Sequence, residues 1–330
     1  MDNVDTAHSP QGAHPSPAEQ SPNDFYSTAL AGRTSSSDVE VDGSNVAYWT
    51  YQPVSVTPQT RTILVIHGFR GDHHGLLRVA DQLPEMRIIM PDLPGFGSSE
   101  PFVDGEHTVE RYGKFITGFM SALGLDHKGS DHKGSDHKTV LLGHSFGSIV
   151  ASHFAAGNPG AVYPLILINP IAAPALEGPK GIMTKLAVLY YQVSAKLPRP
   201  LGLAVLRNRV IVRVMSITMA KTKDKDLRRF IHGQHDAYFS AFADRKSLLE
   251  SFKASVSGNV ADVASHLALP VLLIAGEKDE IATLPSQHKL MKLLPDAQLE
   301  VIPGVGHLIH YETPVPAAES IRTFLEEHPA

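Results

Sequence analysis

The segment from Thr139 to Val150 constrains the fold of this chain more than any other. It opens with a short apolar run of the kind found in buried strands and continues with Gly-His-Ser-Phe-Gly. It ends with Ile149 and Val150, which begin a helix-like apolar face. Strand, G-x-S-x-G and helix in this order are the context of a nucleophile elbow, whose sharp turn lifts the serine hydroxyl above the sheet edge. We therefore expect Ser145 to be a nucleophile.

Apolar segments along the rest of the chain predict a mostly parallel α/β sheet with helices on both faces. Short continuous apolar runs are typical of strands that are covered on both sides, and segments with helical periodicity separate them. Such alternation builds a parallel sheet between two helical layers. The strand-like runs are Thr62–Ile66, Arg87–Met90, Thr139–Leu142, Leu165–Ile168, Pro270–Ala275 and Gln298–Ile302, preceded by a hairpin at Val39–Tyr51.

A long stretch, residues 171–259, interrupts this alternation. It has no strand-like run and is predicted to form several helices broken at prolines. We therefore predict a helical cap inserted into a core of residues 39–170 and 260–330. Residues 1–38 are rich in Ser, Pro, Asp, Gln and Gly and poor in apolar residues. Because such a segment cannot bury enough surface to offset its ordering entropy, we predict a disordered tail.

The composition excludes several classes of function. A net charge of -5 gives no reason to expect nucleic acid as a partner. The absence of cysteine excludes disulfides, a thiol nucleophile and a cysteine-ligated metal. No run approaches the ~18 apolar residues of a membrane span, and the N-terminus lacks the basic and apolar regions of a signal peptide. We expect a soluble, cytoplasmic protein.

A nucleophilic serine needs a base, which is predicted to be His307. A serine hydroxyl is a poor nucleophile at neutral pH, so a histidine must take its proton and a carboxylate must orient that histidine. His307 follows a Gly-rich turn directly after the last predicted strand, which favours its return to the elbow. His310, three residues further on, is the alternative.

The orienting carboxylate is predicted to be Asp279. It follows a predicted strand in Gly-Glu-Lys-Asp, at the carboxyl end where an open α/β sheet gathers its site. Glu277 and Glu280 are alternatives, whereas the position after the preceding strand holds Asn169, which is not an acid. The resulting order of nucleophile, acid and base along the chain is the one expected when the elbow comes first.

Two backbone amides are predicted to form an oxyanion hole. The amide of Phe146 opens the helix after the elbow, and the second donor is predicted to be Phe69, in the loop after another buried strand. His67 and Gly68 precede Phe69. The alternative to an oxyanion loop here is a tight turn without further function. Asp92 lies in a Pro-Asp-Leu-Pro-Gly loop, where we expect it to order a turn rather than to act as a second catalytic acid.

Together these motifs resemble the α/β-hydrolase fold family, with a helical cap. The resemblance extends from about Val39 to the C-terminus, and the family's catalytic Ser, Asp and His fall on Ser145, Asp279 and His307. The nucleophilic serine argues against members that use Asp instead, the haloalkane dehalogenases and epoxide hydrolases. The resemblance rests on His67-Gly-Phe69, Asp92-Leu-Pro-Gly-Phe-Gly-Ser-Ser99, Gly143-His-Ser-Phe-Gly147, Gly276-Glu-Lys-Asp279 and Gly306-His307.

The resemblance implies a serine hydrolase that cleaves a small-molecule carboxylic ester through an acyl-enzyme, with no cofactor and no metal. Alternatives on the same three residues are an acyltransferase, a perhydrolase-type haloperoxidase and a hydrolase of C–C bonds in diketones. The alternative from another class is a protein that binds a ligand in the pocket of this fold without turnover. The substrate and the oligomeric state stay open.

Two segments have competing interpretations. Residues 197–219 combine apolar residues with arginines, which is typical of a helix on an anionic membrane or beside a lipid-like acyl chain, or of a cap helix with its arginines in water. The segment Asp126–Lys138 repeats Asp-His-Lys-Gly-Ser, which indicates a flexible exposed loop; its three Asp-His pairs would otherwise suggest a metal site.

Overall fold

A computed structural model of the chain describes residues 25–126, 138–173 and 181–329, and residues 181–186 by their backbone alone. The strands in these ranges are β1 (Thr34–Val41), β2 (Ser44–Tyr51), β3 (Thr62–Ile66), β4 (Arg87–Pro91), β5 (Val140–His144), β6 (Leu165–Ile168), β7 (Val271–Gly276) and β8 (Ala297–Ile302). They form one sheet in the order β1-β2-β4-β3-β5-β6-β7-β8. Only the pairs β1–β2 and β2–β4 are antiparallel, which confirms the predicted mostly parallel sheet.

Helices cover both faces of this sheet. Those described are α1 (Thr28–Gly32), α2 (Leu77–Asp81), α3 (Val109–Ala122), α4 (Phe146–Gly157), α5 (Gly181–Lys196), α6 (Arg199–Leu206), α7 (Arg209–Met219), α8 (Lys225–Tyr238), α9 (Arg245–Ser257), α10 (Leu284–Met291), α11 (Ile309–Glu312) and α12 (Pro314–Glu327). One core cluster joins the sheet to α3 and α4, and a second joins it to α2 and α12.

The central strands supply residues to both clusters. Leu64 and Ile66 of β3 lie in the cluster with α3 and α4, while Ile63 and Val65 lie in the cluster on the opposite face. This alternation follows from the two-residue period of a strand. Because both faces are buried, the strand is apolar at every one of these positions, which is the continuous pattern that the sequence displays.

The structure places helices where the sequence predicted an insertion. Helices α5 to α9 lie between β6 and β7 in the chain, and the described residues of that stretch contain no strand. We call this segment, Gly181–Ser257, the helical insertion. Helix α5 packs on α6 and α9, and α7 packs on α8.

The predicted boundary of the N-terminal tail, residue 38, is wrong. Helix α1 begins at Thr28, and β1 begins at Thr34 and pairs with β2 from Thr34 to Val41. Strand β1 is a sheet edge whose side chains are mostly exposed, so it needs no apolar alternation and its Ser-rich sequence resembles a tail. Residues 1–24 of the predicted tail lie outside the described residues, as do residues 127–137 of the pentapeptide repeat.

Candidate active site

The elbow is built by β5, Ser145 and α4. Strand β5 ends at His144 and α4 begins at Phe146, so one residue makes the turn. Ser145 has φ 52° and ψ -117°, a conformation that is uncommon for a residue with a side chain and is held only when its surroundings enforce it. A Cβ on Gly147 would overlap the carbonyl oxygen of Ile66, which shows why this position holds glycine.

The structure brings the three predicted side chains together. His307 Nε2 lies 2.8 Å from Ser145 Oγ, and His307 Nδ1 lies 2.7 Å from Asp279 Oδ2. Asp279 and His307 are both buried. Since a carboxylate only accepts hydrogen bonds, Nδ1 carries the proton and donates a hydrogen bond to Asp279. Nε2 is then the free acceptor for the Ser145 hydroxyl, which is the orientation that a general base requires.

The carboxylate of Asp279 is held by more than the histidine. Its Oδ1 accepts hydrogen bonds from the amides of Ile281 and Ala282, at 2.8 and 2.9 Å. Burial by itself raises the pKa of Asp279, but the nearby His307 and the hydrogen bonds from His307, Ala282 and Ile281 bring that pKa below its ordinary value. Asp279 therefore stays ionised and orients the imidazole at neutral pH.

Asn169 supports the site, although from the sequence it was noted only as a position where a catalytic acid could have stood. It directly follows β6, has φ 47° and is fully buried. Its side-chain amide donates to Asp279 Oδ2 at 2.8 Å and to the carbonyl of Gly306 at 3.3 Å. One side chain thus connects the acid to the loop that carries His307. The signal in the sequence was its position at the carboxyl end of the strand next to β7.

The loop after β3 passes beside the nucleophile. A Cβ on Gly68 would lie 3.3 Å from the Ser145 Cβ, so this loop and the elbow are in contact. The Phe69 amide donates no hydrogen bond to any residue within the described ranges. The Phe146 amide is the first of α4 and has no acceptor within the helix. Both amides predicted for the oxyanion hole are thus free donors on segments that flank Ser145.

The His67 ring holds this loop by two hydrogen bonds. Its Nε2 accepts a hydrogen bond from the Leu93 amide at 2.8 Å, so its Nδ1 carries the proton and donates to the Gly68 carbonyl at 2.8 Å. Burial lowers the pKa of His67 and keeps it neutral, although Asp92 opposes this effect. The segment His67-Gly68 is therefore a fixed turn that positions the next amide.

Arg70 connects the same loop to the helical insertion, and the sequence analysis missed it. The side chain is 1% exposed and the backbone has φ 61°. Nε donates to the carbonyl of Phe239 at 2.9 Å, and the two terminal nitrogens donate to the carbonyl of Leu206 at 2.7 Å and to the hydroxyl of Tyr191 at 3.2 Å. The residue after Phe69 is thus bonded to α5, to the end of α6 and to the residue after α8.

The alternative base, His310, lies elsewhere. Its ring centroid is 4.2 Å from that of His144, and it forms no hydrogen bond with Ser145 or Asp279. Burial, together with the neighbouring His144 and His307, lowers the pKa of His310 well below its usual value. His310 is therefore a buried neutral histidine beside the site.

The alternative acids are also placed elsewhere. Glu277 accepts a hydrogen bond from the Gly304 amide at 2.8 Å, and Glu280 lies 3.5 Å from Lys221. Asp92 is fully buried, and its two oxygens accept hydrogen bonds from the amides of His73 and Ser98, both at 2.9 Å. Asp92 thus orders the turn in which it lies, in agreement with its predicted role.

Among the described residues, one group has the spacing of metal ligands: Asp72, His73 and His74, with ligand atoms within 4.8 Å of one another. Both imidazoles already have carboxylate partners, since His73 Nδ1 lies 2.9 Å from Asp92 Oδ1 and His74 Nδ1 lies 3.1 Å from Asp72 Oδ1. The ring of His73 also stacks on Trp49, with 3.3 Å between centroids. These contacts favour a structural network.

Comparison with known proteins defines the class. The model of the alpha/beta hydrolase family matches residues 63–319, which is most of the chain, and the chain therefore belongs to this family. Within the described residues, no helix combines the length and the apolar character that crossing a bilayer requires.

Several relatives carry the name of an ester-cleaving enzyme. The chain is 24% identical over 309 residues to Lipase 3 of Moraxella sp. (strain TA144), covering 90% of this chain and 85% of the lipase. It is 25% identical over 272 residues to Lipase 1 of Psychrobacter immobilis, covering 79% and 76%. A thermophilic esterase from Thermogutta terrifontis has the same fold, with a TM-score of 0.68, 23% identity and coverage of 88% and 98%. These relatives support a hydrolase of the α/β fold.

Proposed function

We propose that this protein is a serine hydrolase that cleaves a carboxylic ester through an acyl-enzyme. The observation that carries this proposal is the continuous hydrogen-bonded arrangement from Ser145 through His307 to Asp279, with both distances below 3 Å. A serine with an aligned imidazole and an ionised carboxylate behind it is the arrangement that acyl transfer requires. Relatives named lipase favour an ester over other acyl compounds.

In the first half of the reaction the ester acylates the enzyme. Ser145 Oγ attacks the carbonyl carbon while His307 Nε2 takes the hydroxyl proton, and Asp279 stabilises the imidazolium. The carbonyl oxygen becomes an oxyanion that accepts hydrogen bonds from the amides of Phe69 and Phe146. When the C–O bond to the alcohol breaks, His307 gives its proton to the departing oxygen. The acyl group remains on Ser145.

In the second half, water releases the acid. His307 Nε2 takes a proton from the water molecule as its oxygen attacks the acyl carbon, and the same two amides hold the second oxyanion. The bond to Ser145 Oγ then breaks, and His307 returns the proton to that oxygen. The products are the carboxylic acid, the alcohol and the unchanged enzyme.

The acyl group is proposed to be apolar, because aromatic side chains surround the loop that carries the oxyanion donor. The ring of Phe69 has centroid distances of 5.9 Å to Tyr191 and 5.8 Å to Phe252, both of the helical insertion, and 6.0 Å to Phe96. Each methylene buried on such a surface adds about 0.8 kcal/mol of binding, or about fourfold in kcat/KM. We expect kcat/KM to rise from acetate to hexanoate esters, and to rise less in Phe252→Ala.

Labelling with a fluorophosphonate probe tests the activated serine. We expect the wild-type protein to be labelled, and expect Ser145→Ala and His307→Ala to abolish labelling while the circular dichroism spectrum is retained. Ser152→Ala is the matched control, since Ser152 lies on α4 with its hydroxyl bonded to the Ile149 carbonyl. A folded wild type that stays unlabelled would contradict the proposal. Labelling without turnover of any ester would assign the same serine to a different acyl reaction.

A further inference from the structure

Helix α7 exposes three large apolar side chains. Val210, Val214 and Ile217 are exposed by 70%, 58% and 57% of their surface. The buried residues of α7 are Val212 and Ser216, and the Ser216 hydroxyl lies 2.6 Å from His232 Nδ1 and 2.7 Å from His235 Nδ1 of α8. An ordinary surface helix turns its large apolar residues towards the core, so three that remain exposed on one helix are unusual.

The exposed residues form one stripe. Their spacing of four and then three residues puts Val210, Val214 and Ile217 on the same side of the helix. We call these three residues the α7 stripe. Six of the thirteen large apolar side chains that the described residues expose belong to the helical insertion, the others there being Leu189, Val193 and Leu201. Single exposed apolar residues are normal, but a grouped set marks an interaction surface.

The same part of the chain is strongly cationic. Residues 187–223 contain no Asp or Glu, although the whole chain has a net charge of -5. Five exposed cations there form no ion pair with any carboxylate in the described ranges: Lys196, Arg199, Arg207, Arg209 and Lys223. The seven basic residues of this stretch are Lys196, Arg199, Arg207, Arg209, Arg213, Lys221 and Lys223.

We propose that the α7 stripe and its flanking cations dock on the surface of an anionic lipid bilayer. An exposed apolar stripe beside unpaired Lys and Arg is the combination that lies in a membrane interface, with its apolar face about 5–10 Å into the headgroup boundary. The absence of acidic side chains over residues 187–223 means that this stretch itself does not repel anionic headgroups. The buried Ser216–His235 contact keeps α7 attached to α8 while its outer face is in lipid.

Vesicle flotation tests this proposal with the full-length chain. The protein carries Ser145→Ala so that binding is measured without lipid hydrolysis. Vesicles are phosphatidylcholine, with or without about one third phosphatidylglycerol. We expect binding to the anionic vesicles to exceed binding to the neutral ones at least tenfold and to fall as salt rises from about 0.1 M to about 1 M. Because the readout is binding, its outcome is independent of the proposed hydrolase activity.

Two variants separate the apolar and the electrostatic contributions. Val214→Glu with Ile217→Glu is expected to reduce binding to anionic vesicles at least tenfold. Arg209→Gln with Lys223→Gln is expected to reduce it about twenty-fivefold, at about fivefold per cation. The matched control is Val54→Glu with Val56→Glu, which places the same charges on residues that are 71% and 81% exposed in the loop after β2. This control is expected to bind like the parent protein.

Three results would overturn the proposal. The first is equal binding to neutral and anionic vesicles, and the second is binding to neither. The third is a parent protein that is dimeric by size-exclusion chromatography with light scattering, and becomes monomeric with Val214→Glu and Ile217→Glu. In that case a second copy of the chain covers the α7 stripe. Circular dichroism melting of each variant shows that it is folded.

Discussion

Replacing Arg70 by methionine tests whether the helical insertion holds the loop after β3, which carries the proposed oxyanion donor Phe69. Methionine keeps most of the length of the side chain but removes the donors that bond the carbonyls of Phe239 and Leu206 and the hydroxyl of Tyr191. These acceptors lie in the interface between the loop and the insertion, so water does not readily replace the guanidinium. A buried acceptor that loses its partner costs about 1–3 kcal/mol.

We therefore expect Arg70→Met to lower the free energy of unfolding by about 3 kcal/mol, since two carbonyls lose charged donors and the methionine recovers part of the loss by packing. The neighbouring Phe69 amide, which we propose as an oxyanion donor, would lose its position beside Ser145. Because one such donor is worth about 10²–10³ in kcat, we expect kcat to fall about a hundredfold, with a smaller change in KM. Urea unfolding measures the free energy of unfolding, and ester hydrolysis by the same preparations measures kcat and KM.

Arg207→Met is the matched control. Arg207 follows α6, is exposed, and donates one hydrogen bond to the Phe242 carbonyl at 3.0 Å. An exposed bond of this kind is worth less than about 1 kcal/mol, and kcat is expected to stay within about twofold of wild type. If Arg70→Met behaves like Arg207→Met in both assays, the reasoning about the loop is wrong. A loss of stability with unchanged kcat would make Arg70 structural only.

Three further predictions concern the acid, the elbow and the buried histidines. Asp279→Asn is expected to reduce kcat about 10⁴-fold through loss of the imidazole orientation, measured by steady-state ester hydrolysis. Gly147→Ala is expected to destabilise the fold by about 3 kcal/mol in urea, because its Cβ meets a β3 carbonyl. Burial, with neighbouring histidines, lowers the pKa of His144 and of His235 to about 3, so stability is expected to decrease as pH falls below about 6.5.

The sign of that pH dependence follows from proton uptake. Below about pH 6.5 these histidines are protonated in the unfolded chain but not in the native protein. Each of them therefore lowers the free energy of unfolding by about 1.4 kcal/mol per pH unit until the native pKa is reached. His235→Gln should therefore flatten the profile between about pH 7 and pH 5, and an unchanged slope would refute the assignment. The control for Asp279→Asn is Glu277→Gln, which is expected to retain kcat. The control for Gly147→Ala is Gly157→Ala, whose Cβ meets nothing within 4 Å and which is expected to leave the fold stable.

The sequence alone identified the elbow and the layers of the fold because both depend on short-range patterns. The strand, Gly143, Ser145 and the first helical turn lie within about a dozen residues, where local propensity and sterics act together. The buried strands were recognised because covering both faces makes a strand continuously apolar. Strand β1 was not recognised. It is an exposed edge strand that is stabilised by its backbone pairing with β2, so its sequence has no apolar pattern.

Only the tertiary structure shows which of His307 and His310 contacts Ser145. The two are three residues apart in one loop region, and the Gly-rich turn before His307 favours it without excluding His310. The loop after β8 carries His307 to Ser145 and Asp279, whereas the short helix α11 begins at Ile309 and turns His310 towards His144. The difference is one of direction in space, which residue type and spacing do not encode.

The supporting residues of the site required the structure for the same reason. Asn169 and Asp279 are 110 positions apart, and Arg70 and Phe239 are 169 positions apart. Their hydrogen bonds exist because the sheet brings strand ends together and the helical insertion folds back over the loop after β3. A short-range pattern can mark the residue that reacts, but a side chain whose role is to join distant segments is defined only by the contacts that folding creates.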